Sequence, residues 1–368
     1  MQTTAAVARM PKGDFSIEEV TIDAPRSGEV RVRIAGVGLC HTDLIFRDQF
    51  APYPLPAVLG HEGAGVIEAL GDGVEGLAVG DRVVLGFSSC GQCARCAEHL
   101  PSYCRDFPPM NYAGMRLEDR SKAYVANGET ISSHFFGQSS FAAQAIVRAR
   151  NVVKVEDADA PLDILGPLGC GLQTGAGGVM RSLACPAGSS IAIVGGGPVG
   201  LAAVMGAKVQ GCSTIVLVEP VAARRELARE LGATHVVDPA AGDVTEALRA
   251  LIPDGFDFAF DTSGRVDAIQ AALGALTSRG MIGLVGVPPS AEDGITINIA
   301  AMITYGQRVV GIMEGDSDPQ TFIPQLIALH REGRFPFDRL VRTFPLAQIN
   351  EAIAAQARGD CVKVVLIP

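Results

Sequence analysis

The stretch SIAIVGGGPVGLAAVMGAKVQGCSTIVLVE, residues 190–219, decides the fold of this 368-residue chain. A short apolar run at 191–194 leads into the pattern G-x-G-x-x-G at 195–200, and an apolar helical pattern then leads to a second apolar run that ends at Glu219. Glycines at this spacing permit a tight turn and let a pyrophosphate approach the free N–H groups of the helix N-terminus. Strand, helix and terminal acid in this order predict a dinucleotide-binding βαβ unit.

The acid at the end of the second run predicts which dinucleotide is bound. Glu219 would accept hydrogen bonds from ribose hydroxyls and repel a 2′-phosphate, which favours NAD over NADP. Arg224 and Arg225 follow closely in the sequence and leave NADP as an alternative. A glycine-rich turn in a purely structural βαβ unit is a further alternative. The turn residues assigned to the cofactor are Gly195, Gly197, Pro198, Val199 and Gly200.

The pattern on either side of this unit predicts two domains. From about residue 186 onward, apolar runs alternate with helical stretches, which is typical of a doubly wound parallel sheet in an α/β fold. The first third instead has short β-like runs at 29–34, 65–69 and 81–85, separated by glycine turns, and predicts a largely β, barrel-like unit.

Composition narrows the function classes. The chain is 48% hydrophobic and 19% charged, which is typical of a globular protein. A net charge of -10 repels phosphate backbones and anionic lipid, so we expect a small-molecule ligand and neither nucleic acid nor membrane as a partner. The N-terminus has no apolar segment of signal-peptide length, and we expect a cytoplasmic protein.

Four cysteines lie within fifteen residues with the spacing C-x2-C-x2-C-x7-C. Four thiolates can close a tetrahedron around a zinc ion and leave no open position, which predicts a structural zinc site. An iron–sulfur centre or unliganded thiols are the alternatives. The four residues are Cys90, Cys93, Cys96 and Cys104.

A second set of metal-ligand residue types is dispersed along the chain, in the segments Cys40-His41-Thr42-Asp43 and Gly60-His61-Glu62 and at Cys170. Taken singly, each cysteine or histidine could be an ordinary core residue. Two thiolates and one imidazole together would leave a fourth zinc position open for water or substrate, as catalysis requires.

With these motifs in place, the chain resembles the zinc-containing medium-chain alcohol dehydrogenases from end to end. The segments that carry the resemblance include GLCHTDL, LGHEGAGVIEALGDGV, GDRVVL, LGCGLQTGAG, GGGPVG, LGATHVVD, LVGVPP and VKVVLIP. Within the family it is most similar to aryl-alcohol (benzyl alcohol) dehydrogenases, through HFFGQSSFA, NVVKV, LGPLGCGLQTGAG, EGDS, FIPQLI and GRFPFDRLV. The resemblance implies a GroES-like catalytic domain over 1–171 and 311–368, with a structural zinc lobe at about 88–106, and an NAD-binding Rossmann domain over 172–310.

The resemblance also implies roles for individual residues. Cys40, His61 and Cys170 would bind a catalytic zinc that Glu62 can approach, which makes two zinc ions per chain with the structural one. Asp43 would orient His61, and Thr42 would take the alcohol proton. The residues implied to contact NAD outside the glycine turn are Thr174 at the nicotinamide, His41 and Lys363 at the pyrophosphate, and Val285 and Val287 at the carboxamide. Glu219 and Arg224, which follow from the βαβ pattern, are assigned to the cofactor as well.

Two departures from the family pattern affect the mechanism and the substrate. Ile45 stands where relatives with a full proton relay have a histidine, so the relay from Thr42 would end at His41 or pass directly to water. Gly86 replaces a bulky pocket residue. With Phe135, Phe136 and Met313 it suggests an apolar pocket for a flat ring. The alternative is that the two phenylalanines are ordinary core residues.

The resemblance therefore implies reversible oxidation of a primary aromatic alcohol to its aldehyde, with hydride transfer to NAD. Aliphatic or allylic alcohols and the glutathione adduct of formaldehyde are the alternative substrates. A relative that binds nucleotide and zinc without turnover is the alternative from another class. Family members suggest a homodimer or homotetramer.

Overall fold

The computed structural model describes all residues from Met1 to Pro368. The chain divides into two compact units, each of which gathers segments that are distant in sequence. The first unit contains residues 1–170, 318–328 and 338–368, and the second contains residues 171–317 and 329–337.

Strands predominate in the first unit, and strands alternate with helices in the second. The strands are β1 (Gln2–Ala8), β2 (Phe15–Ile22), β3 (Glu29–Gly38), β4 (Ala57–Val58), β5 (Gly63–Leu70), β6 (Arg82–Leu85), β7 (Tyr124–Ala126), β8 (Glu129–Ile131), β9 (Gln144–Arg148), β10 (Val152–Lys154), β11 (Ser190–Val194), β12 (Thr214–Val218), β13 (His235–Val237), β14 (Phe256–Asp261), β15 (Leu276–Leu284), β16 (Arg308–Gly311), β17 (Val341–Pro345) and β18 (Lys363–Ile367). The helices are α1 (His41–Arg47), α2 (Ala94–Ala97), α3 (Phe107–Tyr112), α4 (Gly171–Gly177), α5 (Pro198–Gln210), α6 (Ala222–Leu231), α7 (Val244–Leu251), α8 (Val266–Gly274), α9 (Ile299–Tyr305), α10 (Pro319–Arg331) and α11 (Ile349–Arg358). No helix combines the length and the apolar character needed to span a bilayer.

The first unit is built on two largely antiparallel sheets. One has five strands in the order β4-β1-β2-β7-β8, and the other has seven, in the order β10-β6-β5-β3-β18-β17 with β9 also paired to β3. Strand β3 is central because it pairs with β5, β9 and β18, and most of its apolar side chains are buried. The C-terminal strand β18 therefore returns to the sheet that the first third of the chain begins.

The second unit is one six-stranded sheet with the order β13-β12-β11-β14-β15-β16, in which every pair is parallel. All five residues of β11 are buried, as expected of a central parallel strand covered on both faces. This order, in which the chain starts in the middle and winds outward in both directions, is that of the Rossmann fold. The predicted fold class is confirmed.

Candidate active site

The cysteine lobe brings together all four thiols that the spacing singled out. The distance between the Sγ atoms is 3.6 Å for Cys93 and Cys96, and 4.0 Å for both Cys90–Cys96 and Cys93–Cys104. A zinc ion with four Zn–S bonds of about 2.3 Å requires sulfur atoms about 3.8 Å apart. The lobe therefore fits a tetrahedral zinc with no open position.

The dispersed set of metal-ligand residue types also comes together in space, within the first unit. The ligand atoms of Cys40, His61, Glu62 and Cys170 all lie within 4.8 Å of one another. Cys40 directly precedes α1, the His61–Glu62 pair directly precedes β5, and Cys170 directly precedes α4. The Nε2 atom of His61 is buried and has no hydrogen-bond partner, which is the condition of a nitrogen that faces a metal. This donor set of thiolates and imidazole suits zinc.

The carboxylate of Asp43 connects two segments of this metal group through hydrogen bonds. Its Oδ1 atom lies 2.8 Å from Nδ1 of His61 and accepts a hydrogen bond from the backbone of Gly60 at 3.2 Å. Its Oδ2 atom accepts a hydrogen bond from the backbone N–H of Cys40 at 2.9 Å. The carboxylate is fully buried. By holding the proton on Nδ1, it leaves Nε2 of His61 available as a metal ligand.

The electrostatics of the group favour a cation. The pKa of Cys40 is well below its ordinary value, chiefly because the Cys170 thiol donates a hydrogen bond to the thiolate. Burial lowers the pKa of His61, but the Asp43 carboxylate outweighs burial and brings the pKa well above its ordinary value. Burial raises the pKa of Glu62 to about 7. A metal ion would replace the protons that this cluster otherwise holds.

Glu62 and Lys363 form a buried ion pair next to the metal group. The Lys363 ammonium lies 2.5 Å from Oε2 of Glu62 and donates a hydrogen bond to the carbonyl of Leu39 at 3.0 Å. A side chain at Gly38 would place Cβ 1.9 Å from Oε2 of Glu62, so only glycine fits at this point of β3. The role proposed for Lys363 toward a pyrophosphate stays a prediction.

A layer of aromatic rings surrounds the imidazole of His61. Phe136 stacks on it with ring centroids 4.4 Å apart, and Phe135 meets it edge-on at 5.5 Å. Phe135 has no exposed surface, which gives it a supporting position behind Phe136. The remaining rings of this aromatic layer are Phe46, Tyr53, Phe87, Phe107 and Tyr112.

The space left by Gly86 faces Pro319 and Asn151 in the first unit. A Cβ atom there would lie 3.4 Å from Pro319 and 3.6 Å from the carbonyl of Asn151. Gly86 borders a cavity of about 590 Å³ that both of these residues also line. The role predicted for Gly86 in a substrate pocket stays a prediction.

The glycine turn of the second unit has the geometry that the sequence predicts for a pyrophosphate cradle. Gly195 has φ +95°, and a Cβ at Gly200 would lie 1.8 Å from the Gly195 carbonyl oxygen, so both positions require glycine. A Cβ at Gly197 would meet nothing within 4 Å, which leaves the helix N-terminus open to a ligand. Glu219 is buried and accepts a hydrogen bond from the backbone N–H of Gly196 at 2.5 Å.

Comparison with known proteins identifies the family. Residues 26–157 match the alcohol dehydrogenase GroES-like domain, and residues 198–330 match the zinc-binding dehydrogenase domain. Geraniol dehydrogenase from Castellaniella defragrans is 46% identical over 364 residues, which cover 99% of this chain and 97% of that protein. The chain belongs to the zinc-containing alcohol dehydrogenases.

Two solved structures extend this alcohol dehydrogenase likeness to the whole chain. A zinc-binding-domain alcohol dehydrogenase from Burkholderia ambifaria is 49% identical with a TM-score of 0.97, and benzyl alcohol dehydrogenase from Acinetobacter calcoaceticus is 40% identical with a TM-score of 0.96. Each covers 100% of this chain and 99% of its own. The predicted family is confirmed, as are the cofactors, NAD and zinc. The two cysteine-containing groups are the candidate metal sites.

The other predicted site residues differ in exposure. His41 is exposed, Thr42 is half-buried, and Thr174 is buried in α4. Val285 is half-buried and Val287 is 49% exposed in the segment after β15. The remaining ones, Arg224 and Met313, are half-buried within the second unit.

Sequence reasoning missed three residues that shape the site of this alcohol dehydrogenase. Gln138 donates a hydrogen bond to the His61 carbonyl at 2.9 Å and accepts one from Gly63 at 3.0 Å. Tyr112 belongs to the aromatic layer, and Glu314 lies against Thr174. Gln138 lies in the quoted segment HFFGQSSFA and Glu314 in EGDS, so each could have been singled out as a polar member of its segment, whereas no signal in the sequence indicated Tyr112.

Proposed function

We propose that this alcohol dehydrogenase oxidises primary aromatic alcohols to aldehydes with NAD. The alcohol loses a hydride to NAD and a proton to the protein, which yields aldehyde, NADH and one proton, and the reaction is reversible. The observation that carries the proposal is the aromatic layer stacked on His61. Aromatic pairs prefer offset or edge-to-face contacts, so a substrate ring next to this layer is stabilised more than an alkyl chain of similar size.

The metal group supplies the activation of the alcohol. We infer that Cys40, His61 and Cys170 hold a catalytic zinc, which, when bound, lowers the pKa of an alcohol hydroxyl. Thr42 accepts the hydroxyl proton through its own hydroxyl, and Asp43 keeps His61 oriented. His41, which is exposed, offers the proton a route to solvent that replaces the histidine missing at Ile45.

The second unit holds NAD. Glu219 is placed to accept hydrogen bonds from the ribose hydroxyls, and the open space at Gly197 accommodates the pyrophosphate at the N-terminus of α5. We infer that Thr174 packs against the nicotinamide. Arg225 is already engaged with the carbonyl of Glu219 at 2.8 Å and with Asp238 at 2.9 Å, which argues against its use for a 2′-phosphate.

Allylic primary alcohols are the second candidate substrates. The geraniol dehydrogenase that is 46% identical over almost the whole chain favours them. Benzylic and allylic alcohols share an unsaturated carbon next to the reacting one, so the same planar apolar surface can accept both.

A panel of alcohols tests the proposal. We expect kcat/KM with NAD to be about a hundredfold higher for benzyl alcohol than for ethanol, because burying a phenyl ring contributes roughly 3 kcal/mol. Geraniol and cinnamyl alcohol should fall between them. Equal values for benzyl alcohol and ethanol would contradict the aromatic preference, and a higher value for geraniol would favour the allylic candidate. Cys40→Ala should abolish NAD reduction with every alcohol.

Tyr112 offers a sharper test, because it is the one ring of the aromatic layer that is only half-buried. Its ring lies 5.4 Å from that of Phe136 and 4.8 Å from that of Phe46. Tyr112→Leu should lower kcat/KM for benzyl alcohol and leave that for ethanol nearly unchanged. Tyr305→Leu, the same change at an exposed position of the second unit, is the control and should alter neither value.

We also infer assembly into a homodimer or homotetramer. Helix α9 has no buried residue, and Ile299 and Ile303 on it are 74% and 78% exposed. Apolar side chains this exposed are typical of a surface that another chain covers. Light scattering should give a mass of at least two chains for the natural sequence and a smaller mass for Ile303→Glu. A monomeric natural protein would refute the inference.

A further inference from the structure

The turn from Glu314 to Asp316 has a backbone conformation that side chains disfavour. Its three residues have φ values of 53°, 66° and 49°, and only the middle one is a glycine. Consecutive left-handed residues with side chains are rare and persist only where their surroundings hold them. Here the turn is pressed onto α4, since a Cβ at Gly315 would lie 2.5 Å from the Gln173 carbonyl oxygen and 2.9 Å from Cα of Gly177.

This strained turn directs a buried carboxylate at α4. Glu314 is 8% exposed, and its Oε2 atom accepts hydrogen bonds from Nε2 of Gln173 at 3.3 Å and from Oγ1 of Thr174 at 3.5 Å. The Ser317 hydroxyl lies 3.2 Å from Oε1 of Gln173, on the other side of the amide. Two donors aimed at one oxygen suit an ionised carboxylate, which only accepts hydrogen bonds.

We propose that Glu314 makes the nicotinamide site prefer the oxidised cofactor. The inference rests on the proposed function, in which Thr174 packs against the nicotinamide. The ring of NAD⁺ carries a positive charge and the ring of NADH carries none, so a carboxylate behind Thr174 attracts only the oxidised form. Burial strengthens this attraction, because charges interact more strongly away from water. The preference favours release of NADH after alcohol oxidation.

Dissociation constants for both cofactor forms test the proposal. They are measured by calorimetry on the zinc-loaded protein without alcohol, for the natural sequence, Glu314→Gln and Glu314→Asp. Glu314→Gln should raise the Kd of NAD⁺ about tenfold, which corresponds to about 1.4 kcal/mol, and leave the Kd of NADH within about twofold. Glu314→Asp keeps the charge and should keep the ratio of the two constants.

Asp316→Asn is the matched control, because it removes a carboxylate from the same turn whose Oδ1 atom accepts a hydrogen bond from the Met313 backbone. It should leave the ratio within about twofold. An unchanged ratio in Glu314→Gln, or an equal rise of both constants, would overturn the electrostatic role. If Glu314→Gln does not fold, loss of the ratio in Glu314→Asp would overturn it as well. A natural protein that binds neither form would instead overturn the proposed function.

Discussion

Replacing Asp43 by asparagine separates the charge of this residue from its shape. The Oδ1 atom of asparagine can keep the two contacts that the aspartate Oδ1 makes, with Nδ1 of His61 and the backbone of Gly60. The amide nitrogen must then face the N–H of Cys40, where Oδ2 of Asp43 now accepts a hydrogen bond. The substitution therefore puts two donors in opposition next to a proposed zinc ligand.

The size of the effect follows from this geometry. A buried N–H that loses its acceptor costs about 1–3 kcal/mol of stability. Loss of the negative charge behind His61 weakens the imidazole as a ligand, and changes of this kind lower metal affinity about 10- to 100-fold. Because Asp43 is fully buried, solvent cannot replace the missing acceptor.

Competition with a colorimetric zinc chelator measures both metal sites at once. We expect one of the two zinc ions of Asp43→Asn to leave at lower chelator concentration and kcat/KM to fall about 10- to 100-fold. The other zinc ion, in the cysteine lobe, should be unaffected. Asp48→Asn, at the C-terminal end of the same helix, is the control. Two zinc affinities equal to those of the natural protein, with unchanged kcat/KM, would refute the positioning role of Asp43.

Three further predictions follow from other parts of the structure. Cys93→Ser should lose one zinc per chain and lower the Tm, whereas Cys361→Ser, outside both metal groups, should keep two zinc ions by elemental analysis; unchanged zinc content in Cys93→Ser would contradict the lobe. Burial raises the pKa of Glu29, but nearby His134 and the Arg116 guanidinium, which donates hydrogen bonds to both carboxylate oxygens, outweigh it and lower the pKa from 4.5 to about 2. The corresponding stability, about 3 kcal/mol, is present above pH 4.5 and is lost as the pH falls toward 2, so denaturant titrations should show the natural protein and Glu29→Gln converging in acid. Glu219→Gln should lower the ratio of kcat/KM with NAD to that with NADP about tenfold, and an unchanged ratio would argue against a ribose contact.

The parts of the fold that the sequence predicted are those in which the pattern is local. Strand β11 and the turn after it could be recognised because a fully buried parallel strand is a continuous apolar run, and because Gly195 and Gly200 occupy positions that tolerate no side chain. The cysteine lobe could be predicted in the same way, since its four cysteines lie within fifteen residues. In both cases neighbours in sequence are neighbours in space.

The rest of the candidate site depends on contacts between segments that are distant in sequence. Cys40, His61 and Cys170 could be grouped only through the resemblance to a family, because nothing in the residues themselves indicates that three segments meet. Lys363 shows the limit of that approach. Its pairing with Glu62 arises because β18 returns to lie beside β3, and Gly38 leaves room for the carboxylate.

No sequence pattern predicted the strained backbone of the two loops near the candidate site. His134, Phe136 and Ser139 all have positive φ, and the loop they form places Phe136 on His61 and Gln138 against the His61 carbonyl. Glu314 reaches Thr174 from a second segment of this kind. Side chains with left-handed backbone are disfavoured, so each such loop persists only where surrounding contacts stabilise it. Both loops lie next to residues of the proposed chemistry. Most of their left-handed positions are occupied by residues with side chains, which the sequence does not mark as it would mark a glycine.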